Sequence, residues 1–308
     1  MIILNEGATV YAPNLTRTSG RTRPKWGLPG GQRLAVSLLL HAPRYRDPLP
    51  PAAVGPQSMQ GGVGRDTAEP RSGQVARVSQ WDFGLTTGLW RLLDAARDVG
   101  FPAAVALDAD GVTGIPGLAA LAAERADEVV VRGRAANVLL HSGMTAADEA
   151  AYIEESRRIV EAGTGKVASG WFSPERASTP NTARALAAAG FRWFGDWPMD
   201  EVPVRLGQDA ADLTAVPFGV DTEDMFALYS RGLPFGNYRD LLQATVDRLV
   251  AEAQVVGARF LGLSWFGWVL GQACFADVAS DFLAGLTGRS DILPVLPSEA
   301  AALAAPLP

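Results

Sequence analysis

Short apolar runs alternate with longer stretches of helical spacing along most of the chain. The runs have the length of buried strands and are bounded by turn residues or charges; they cover 34–40, 102–108, 127–132, 166–172, 191–196, 213–221 and 259–267. Between them, helical apolar spacing with Gly or Pro stops predicts helices over 86–100, 117–126, 145–163, 179–190, 238–257 and 275–287. This alternation is typical of βα units around a parallel sheet.

The segments outside this alternation divide the chain into regions. An irregular arm rich in Pro and Gly is predicted for 1–33, a long loop for 42–80 and a tail for 291–308. A single (β/α) barrel domain is predicted for 34–290, because the length suits a closed barrel better than an open sheet with one switch point. Periodicity by itself leaves the open sheet as an alternative.

Polar residues follow several predicted strands at the edge where α/β barrels carry their active sites. One of them is unusual, because the strand 127–132 runs through three valines into Arg132, then Gly133 and a second arginine. The residues at these strand ends are His41, Asp108, Arg132, Trp171 to Ser173, Asp196, Asp221 and Ser264.

Composition and charge exclude several classes of protein. The chain of 308 residues is 48% apolar and 19% charged, which is typical of a globular protein. The net charge of −6 and a pI near 5.1 argue against nucleic acid as a partner. No apolar run reaches the roughly 18 residues of a membrane span, and no signal peptide is predicted. Cys274 is the only cysteine, so a reducing cytoplasm is the simplest location.

Arg132 has two interpretations. Its guanidinium stays protonated, so it cannot serve as a metal ligand or general base. It could bind a carboxylate or phosphate, or stabilise a developing oxyanion. It could also form a structural salt bridge to Asp82 or Asp196. Both interpretations stay open at the level of sequence.

The other candidates for chemistry are equally ambiguous. His41 follows the first strand and has the side chain best suited to acid–base work near neutral pH, although a lone histidine is more often structural. The loop of Asp221, Glu223 and Asp224 could bind a cation, supply a base or cap a helix. Most of the tryptophans should be core, but those near strand ends suggest an apolar pocket for a ring-bearing ligand.

Four stretches resemble the polysaccharide deacetylase (NodB-homology) superfamily, and most closely its allantoinase-like branch. They are PKWGLPGGQRLAVSLLL, WDFGLTTGLWRLLDAARDVGFPAAV, GWFSPERASTPNT and VPFGVDTEDM, and the similarity runs over about 23–285. The resemblance implies an α/β fold of the distorted (β/α)7 barrel type. It also implies that Arg176 orients an active-site carboxylate and that Asp196 belongs to the supporting network.

The chain departs from the superfamily where the chemistry should be. Metal-dependent members hold their ion with an Asp after the first strand and two His in a His-(Ser/Thr)-x-x-x-His run. Here the first position reads His41-Ala42, and Arg132 stands in the position of the histidine. The late Leu-His motif that supplies the general acid reads Leu263-Ser264. We therefore expect neither a metal nor another cofactor.

Three functions are compatible with these features. The first is a metal-independent hydrolase of a non-peptide amide or C–N bond, with His41, Asp82 or Asp196 activating water. The second is non-hydrolytic chemistry, such as a cyclisation, elimination or isomerisation in specialised metabolism. The third is a non-catalytic protein that binds a small anionic or aromatic ligand, and homo-oligomerisation is left open in each case. The expected substrate-binding residues are Arg132, Arg176, Trp81, Trp197, Asp221, Ser264 and Trp265.

Overall fold

A curled, mainly parallel sheet forms the centre of the protein in the computed structural model, which describes residues 19–47, 53, 75–207, 210, 212–234 and 236–304. The first part of the predicted arm, most of the predicted loop and the last four residues lie outside these ranges. The strands are β1 Leu34–Ala42, β2 Ala103–Leu107, β3 Glu128–Val131, β4 Gly170–Trp171, β5 Trp193–Phe194, β6 Val204–Arg205, β7 Thr214–Ala215, β8 Arg259–Phe266 and β9 Ile292–Pro294.

The strands follow the order β6-β7-β5-β4-β3-β2-β1-β8, and β9 pairs with the start of β1. All pairings are parallel except that of β6 with β7. A parallel bridge between Phe218, just after β7, and Gly262 of β8 brings the two ends of the sheet together. The predicted α/β fold of the distorted barrel type is confirmed.

The helices pack around the sheet and connect its strands. They are α1 Val75–Phe83, α2 Leu89–Asp98, α3 Ala109–Gly114, α4 Leu118–Arg125, α5 Ala146–Thr164, α6 Thr182–Ala188, α7 Gly236–Val256, α8 Ala276–Thr287 and α9 Pro297–Ala302. The predicted start of α5 is confirmed, because the Thr145 hydroxyl accepts a hydrogen bond from the Asp148 amide at 3.1 Å. Among the described residues, no helix has the length and apolar character needed to span a bilayer.

Several elements differ from the sequence-based expectation. The helix predicted over 86–100 is α2, and a π-helical turn over Gly84–Gly88 connects it to α1, which begins inside the predicted loop. The short strand β6 was not predicted. Part of the predicted tail, 292–302, forms β9 and α9 and so extends the barrel, because apolar Ile292 and Leu293 pair with β1.

Candidate active site

A small cavity opens where β3, β4 and β8 end, at the carboxyl edge of the sheet. Its volume is about 150 Å³, and its lining combines two arginines and two glutamates with an apolar wall. The lining residues are Arg132, Phe172, Glu175, Arg176, Val220, Glu223, Met225, Phe226 and Phe266. A larger cavity of about 590 Å³ lies at the opposite, amino end of β2. Active sites of such barrels lie at the carboxyl edge, so the smaller cavity is the candidate site.

Arg132 enters this cavity directly from the end of β3. Its backbone amide donates to the Leu107 carbonyl at 2.7 Å, and its guanidinium lies 5.8 Å from the centre of the Phe266 ring. The side chain is only 1% exposed, yet Nε and Nη1 have no hydrogen-bond acceptor in the described part of the chain. The predicted salt bridge to Asp82 or Asp196 is not formed, because Asp82 pairs with Arg44 and hydroxyl and amide groups bind Asp196.

Gly133 allows the chain to turn immediately after Arg132. Its φ of +82° lies in the left-handed region, and a Cβ built there would be 2.5 Å from the Tyr152 hydroxyl. That hydroxyl donates to the Val138 carbonyl at 2.7 Å and accepts from the Arg134 amide at 3.0 Å. The turn therefore separates a buried arginine from Arg134, which is about 41% exposed and pairs with Glu155.

We expect Gly133→Ala to destabilise the protein by about 1–3 kcal/mol, because alanine would be strained at this φ and would displace Tyr152. Thermal unfolding followed by circular dichroism measures the effect. Gly114→Ala is the matched control, since a Cβ at Gly114 in α3 meets no atom within 4 Å. Equal melting temperatures for both variants and the wild type would contradict this account of the turn.

Arg176 and Glu223 form the ion pair at the side of the cavity. Arg176 Nη2 lies 2.9 Å from Glu223 Oε2, and Nη1 donates to the Phe218 and Gly195 carbonyls at 2.9 and 3.2 Å. Glu175 and Arg176 have φ values of +52° and +54°, an uncommon conformation for residues other than glycine. Such strain is frequent at functional sites. Glu223 is the carboxylate with which Arg176 pairs.

His41 lies behind the aromatic wall and contacts the cavity only through other residues. Its ring stacks on the Phe266 ring with 4.6 Å between the ring centres, and it contacts the Phe172 ring edge-on with 4.7 Å between the ring centres. Nε2 is 2.8 Å from Ser264 Oγ, which donates to Glu223 Oε2 at 3.3 Å. The Ser264 hydroxyl therefore links the His41 ring to Glu223.

The pKa of His41 is lowered well below its usual value, first by burial and then by the charges of Arg132 and Arg176. A neutral imidazole with an unpartnered Nδ1 is the result. His41 therefore supports Ser264 and Glu223 from within the protein and does not border the cavity.

The carboxylates predicted at the strand ends hold the backbone together and do not line the cavity. Asp196 accepts hydrogen bonds from the amide and hydroxyl of Ser173 and from the Ser178 hydroxyl, at 2.6, 2.7 and 2.6 Å. Asp108 accepts the Arg44 and Gly111 amides at 2.6 and 2.7 Å and caps α3. Burial raises the pKa of Asp196 and raises that of Asp108 to about 7. Their oxygens are occupied, which argues against a direct role in activating water.

The tryptophans predicted to bind substrate pack elsewhere. Trp81 stacks on Tyr45 at 3.7 Å, and Trp197 lies edge-on against Phe194 at 4.7 Å. Trp265 Nε1 donates to the Tyr238 hydroxyl at 3.1 Å on the helix-facing side of β8. The aromatic wall consists instead of Phe172, Phe226 and Phe266. The two-residue alternation of β8 places Ser264 and Phe266 on the face opposite Trp265.

The three acids of the loop after β7, Asp221, Glu223 and Asp224, lie in three different environments. Asp221 is exposed and pairs with Arg231 at 2.6 Å, so the expectation that it binds substrate has no support in its position. Glu223 lines the cavity. Asp224 is wholly buried and accepts hydrogen bonds from the amides of Met225, Phe266 and Leu270 at 2.7, 2.9 and 3.3 Å. Burial raises the pKa of Asp224 well above its usual value.

Comparison with known proteins gives matches only at the level of structure. No protein-family model matches the chain, and no curated protein does. The PuuE allantoinase has a TM-score of 0.75 at 19% identity, with 92% of this chain and 93% of that chain covered. A probable polysaccharide deacetylase from Pseudomonas aeruginosa PAO1 has a TM-score of 0.75 at 20% identity, covering 91% and 94%. A putative polysaccharide deacetylase from Mycobacterium smegmatis has 0.74 at 17%, covering 91% and 93%.

The chain therefore shares its fold with an allantoinase and with a probable and a putative polysaccharide deacetylase. The resemblance predicted from the four sequence stretches is confirmed at this level.

The metal of the superfamily does not fit the residues at this site. The sequence resemblance implies that Arg132 stands where metal-dependent members have a histidine ligand, and its guanidinium has no lone pair to offer a metal. Within the ranges that the structure describes, no three His, Cys, Asp or Glu side chains are grouped so that they could hold a metal ion. The donor set thus disagrees with the metal-dependent chemistry of the superfamily.

Proposed function

We propose that this protein is an enzyme that hydrolyses a non-peptide C–N bond in a small molecule without a metal ion. The observation that carries the proposal is Glu223, a carboxylate inside the cavity whose position is fixed by Arg176 and Ser264. The similarity of the fold to an allantoinase and to polysaccharide deacetylases supports the reaction class.

Glu223 is suited to activate water. Its Oε2 accepts from Arg176 and Ser264, whereas no hydrogen bond to Oε1 is found among the described residues. In the proposed reaction, Glu223 takes a proton from water while the hydroxide oxygen bonds to the substrate carbonyl carbon. Collapse of the tetrahedral intermediate breaks the C–N bond, and the same proton passes from Glu223 to the leaving nitrogen. Arg176 supplies a fixed positive charge beside the developing oxyanion.

The cavity limits the size of the substrate. Its volume of about 150 Å³ is below the roughly 300–1,000 Å³ of pockets that bind drug-sized ligands. The wall of Phe172, Phe226, Phe266 and Met225 favours an apolar group over a hydrated sugar chain. We therefore expect a small amide, ureide or cyclic amide as the substrate.

The test is turnover of small acyclic amides, ureides and cyclic amides by the purified, chelator-treated protein, measured as amine or ammonia release. In heavy-oxygen water, hydrolysis must place solvent oxygen in the product. Product formation without that label would support the cyclisation, elimination or isomerisation alternative instead. Complete loss of activity on chelation, with recovery on adding a divalent metal, would contradict metal independence.

A binding protein without catalysis is the second candidate, and one observation favours it. His41, Asp82 and Asp196, the residues first expected to activate water, do not line the cavity. Tight binding of a small ligand, with no turnover of any member of the panel, would support this candidate over the hydrolase.

A further inference from the structure

The guanidinium of Arg132 is buried without a hydrogen-bond acceptor for Nε or Nη1 among the described residues. Removing an ion from water costs several kcal/mol unless a partner compensates, and arginine cannot escape this cost by losing its proton. Nε and Nη1 have no acceptor among the described residues, and Phe266 provides only a ring face at 5.8 Å. A hydrogen-bond acceptor for Arg132 is therefore lacking at a residue that lines the cavity.

The acids around Arg132 are committed to other groups. Both oxygens of Asp108 accept backbone amides, and Glu223 is paired with Arg176. Glu175 also lines the cavity, but it is exposed and forms no ion pair with Arg132 within the described ranges. Arg132 is therefore the buried cation of the cavity whose Nε and Nη1 lack an acceptor among the described residues.

We propose that Arg132 binds the carboxylate of a small monoanionic substrate. The planar guanidinium suits the geometry of a carboxylate. The two glutamates in the same lining disfavour a phosphate dianion, which carries a second negative charge. The proposal rests on the proposed function for the reaction at Glu223, but the binding event can be measured without turnover.

The rest of the cavity defines the remainder of the ligand. Glu223 accepts hydrogen bonds, so it suits an amide or ureido N–H, and the phenylalanine and methionine side chains suit a short apolar substituent. The substrate class that follows is an N-acyl or N-carbamoyl derivative of a small apolar amino acid. Its carboxylate would contact Arg132 while its scissile C–N bond lies beside Glu223.

The test is calorimetric titration with N-acetyl and N-carbamoyl derivatives of glycine, alanine and valine, each against its neutral primary amide. The members of each pair differ only at the terminal group, which is a charged carboxylate in one and a neutral amide of similar size in the other. Because hydrogen bonds to charged groups contribute about 1.5–3 kcal/mol, at least one acid should bind roughly 10- to 100-fold more tightly than its amide. Analysis of each solution for product after the titration shows whether turnover contributed to the measured heat.

Arg132→Met should abolish this preference for the acid, and Arg134→Gln, the matched control in the adjacent turn, should retain it. Thermal unfolding of the ligand-free variants shows whether each one is folded. Arg132→Met removes a buried charge without acceptors for Nε and Nη1, so it should be at least as stable as the wild type. A preference that survives in Arg132→Met, or no acid in the panel binding more than threefold tighter than its amide, would overturn the proposal.

The two proposals fail differently. Selective binding of acids without turnover would leave the Arg132 site in place and contradict the hydrolase. Equal turnover of acids and neutral amides would support the hydrolase and contradict the role of Arg132.

Discussion

Replacing Glu223 by glutamine is expected to lower kcat by about 10²- to 10⁴-fold, the range that a positioned general base contributes. Glutamine has the size of glutamate and can keep an oxygen toward Arg176, but it cannot take a proton from water. Because the change acts on the proton transfer, KM should change much less than kcat. Steady-state kinetics on the best substrate of the panel measures both constants.

Asp221→Asn is the matched control for this prediction. Asp221 lies two residues away in the same loop, is exposed, and pairs with Arg231, and neither residue lines the cavity. Its variant should retain wild-type kinetics. A Glu223→Gln enzyme with kcat within a few-fold of wild type would remove Glu223 from the reaction and leave the base unassigned.

Arg176→Lys probes the group that holds Glu223. Arginine contacts Glu223 and two backbone carbonyls at once, and lysine can reach fewer of them from a single ammonium. The loss should appear mainly in kcat and should be smaller than that of Glu223→Gln, since the base itself remains. A larger loss than that of Glu223→Gln would assign the reaction to Arg176 itself.

The fold could be predicted from the sequence because its main strands are continuous apolar runs. β1 is buried along its whole length between β2 and β8. Such an apolar run can be recognised as a strand from the sequence alone, without knowing which strands flank it. β6 and β9 were missed because a proline interrupts each apolar run, Pro203 directly before β6 and Pro294 at the end of β9. Their pairing with β7 and β1 depends on contacts across the fold that local periodicity does not encode.

The position of Arg132 could also be predicted, but its lack of a partner could not. The strand end places it at the carboxyl edge, whereas its unpaired charge depends on where Asp82, Asp108 and Asp196 direct their oxygens. The backbone of the loops decides those directions. For the same reason, the sequence could not show which acid of the loop 221–224 faces the cavity.

A signal in β8 could have improved the prediction of the aromatic wall. Side chains of a strand alternate between its faces, so Ser264 in the site implies that Phe266 shares its face and Trp265 does not. Trp81 and Trp197 offered no comparable signal, because they lie outside the described strands and their direction follows from helix and loop packing.

Asp224→Ala is expected to lower the free energy of unfolding by about 3–5 kcal/mol, because it leaves three buried amides without an acceptor. Those amides belong to Met225, Phe266 and Leu270, so the carboxylate joins the loop after β7 to the end of β8. The melting temperature should fall on the order of 10 °C. Chemical denaturation measures the free energy directly.

Asp224→Asn distinguishes the loss of these hydrogen bonds from the loss of side-chain volume in Asp224→Ala. Asparagine keeps the size and one acceptor oxygen, but its amide group would face a backbone donor, so it should recover only part of the stability. The hydrogen bonds to Asp224 position Met225 and Phe266, which line the cavity. Both variants should therefore also weaken ligand binding. An Asp224→Ala protein as stable as the wild type would show that the three amides find other acceptors, and the cavity wall would then not depend on Asp224.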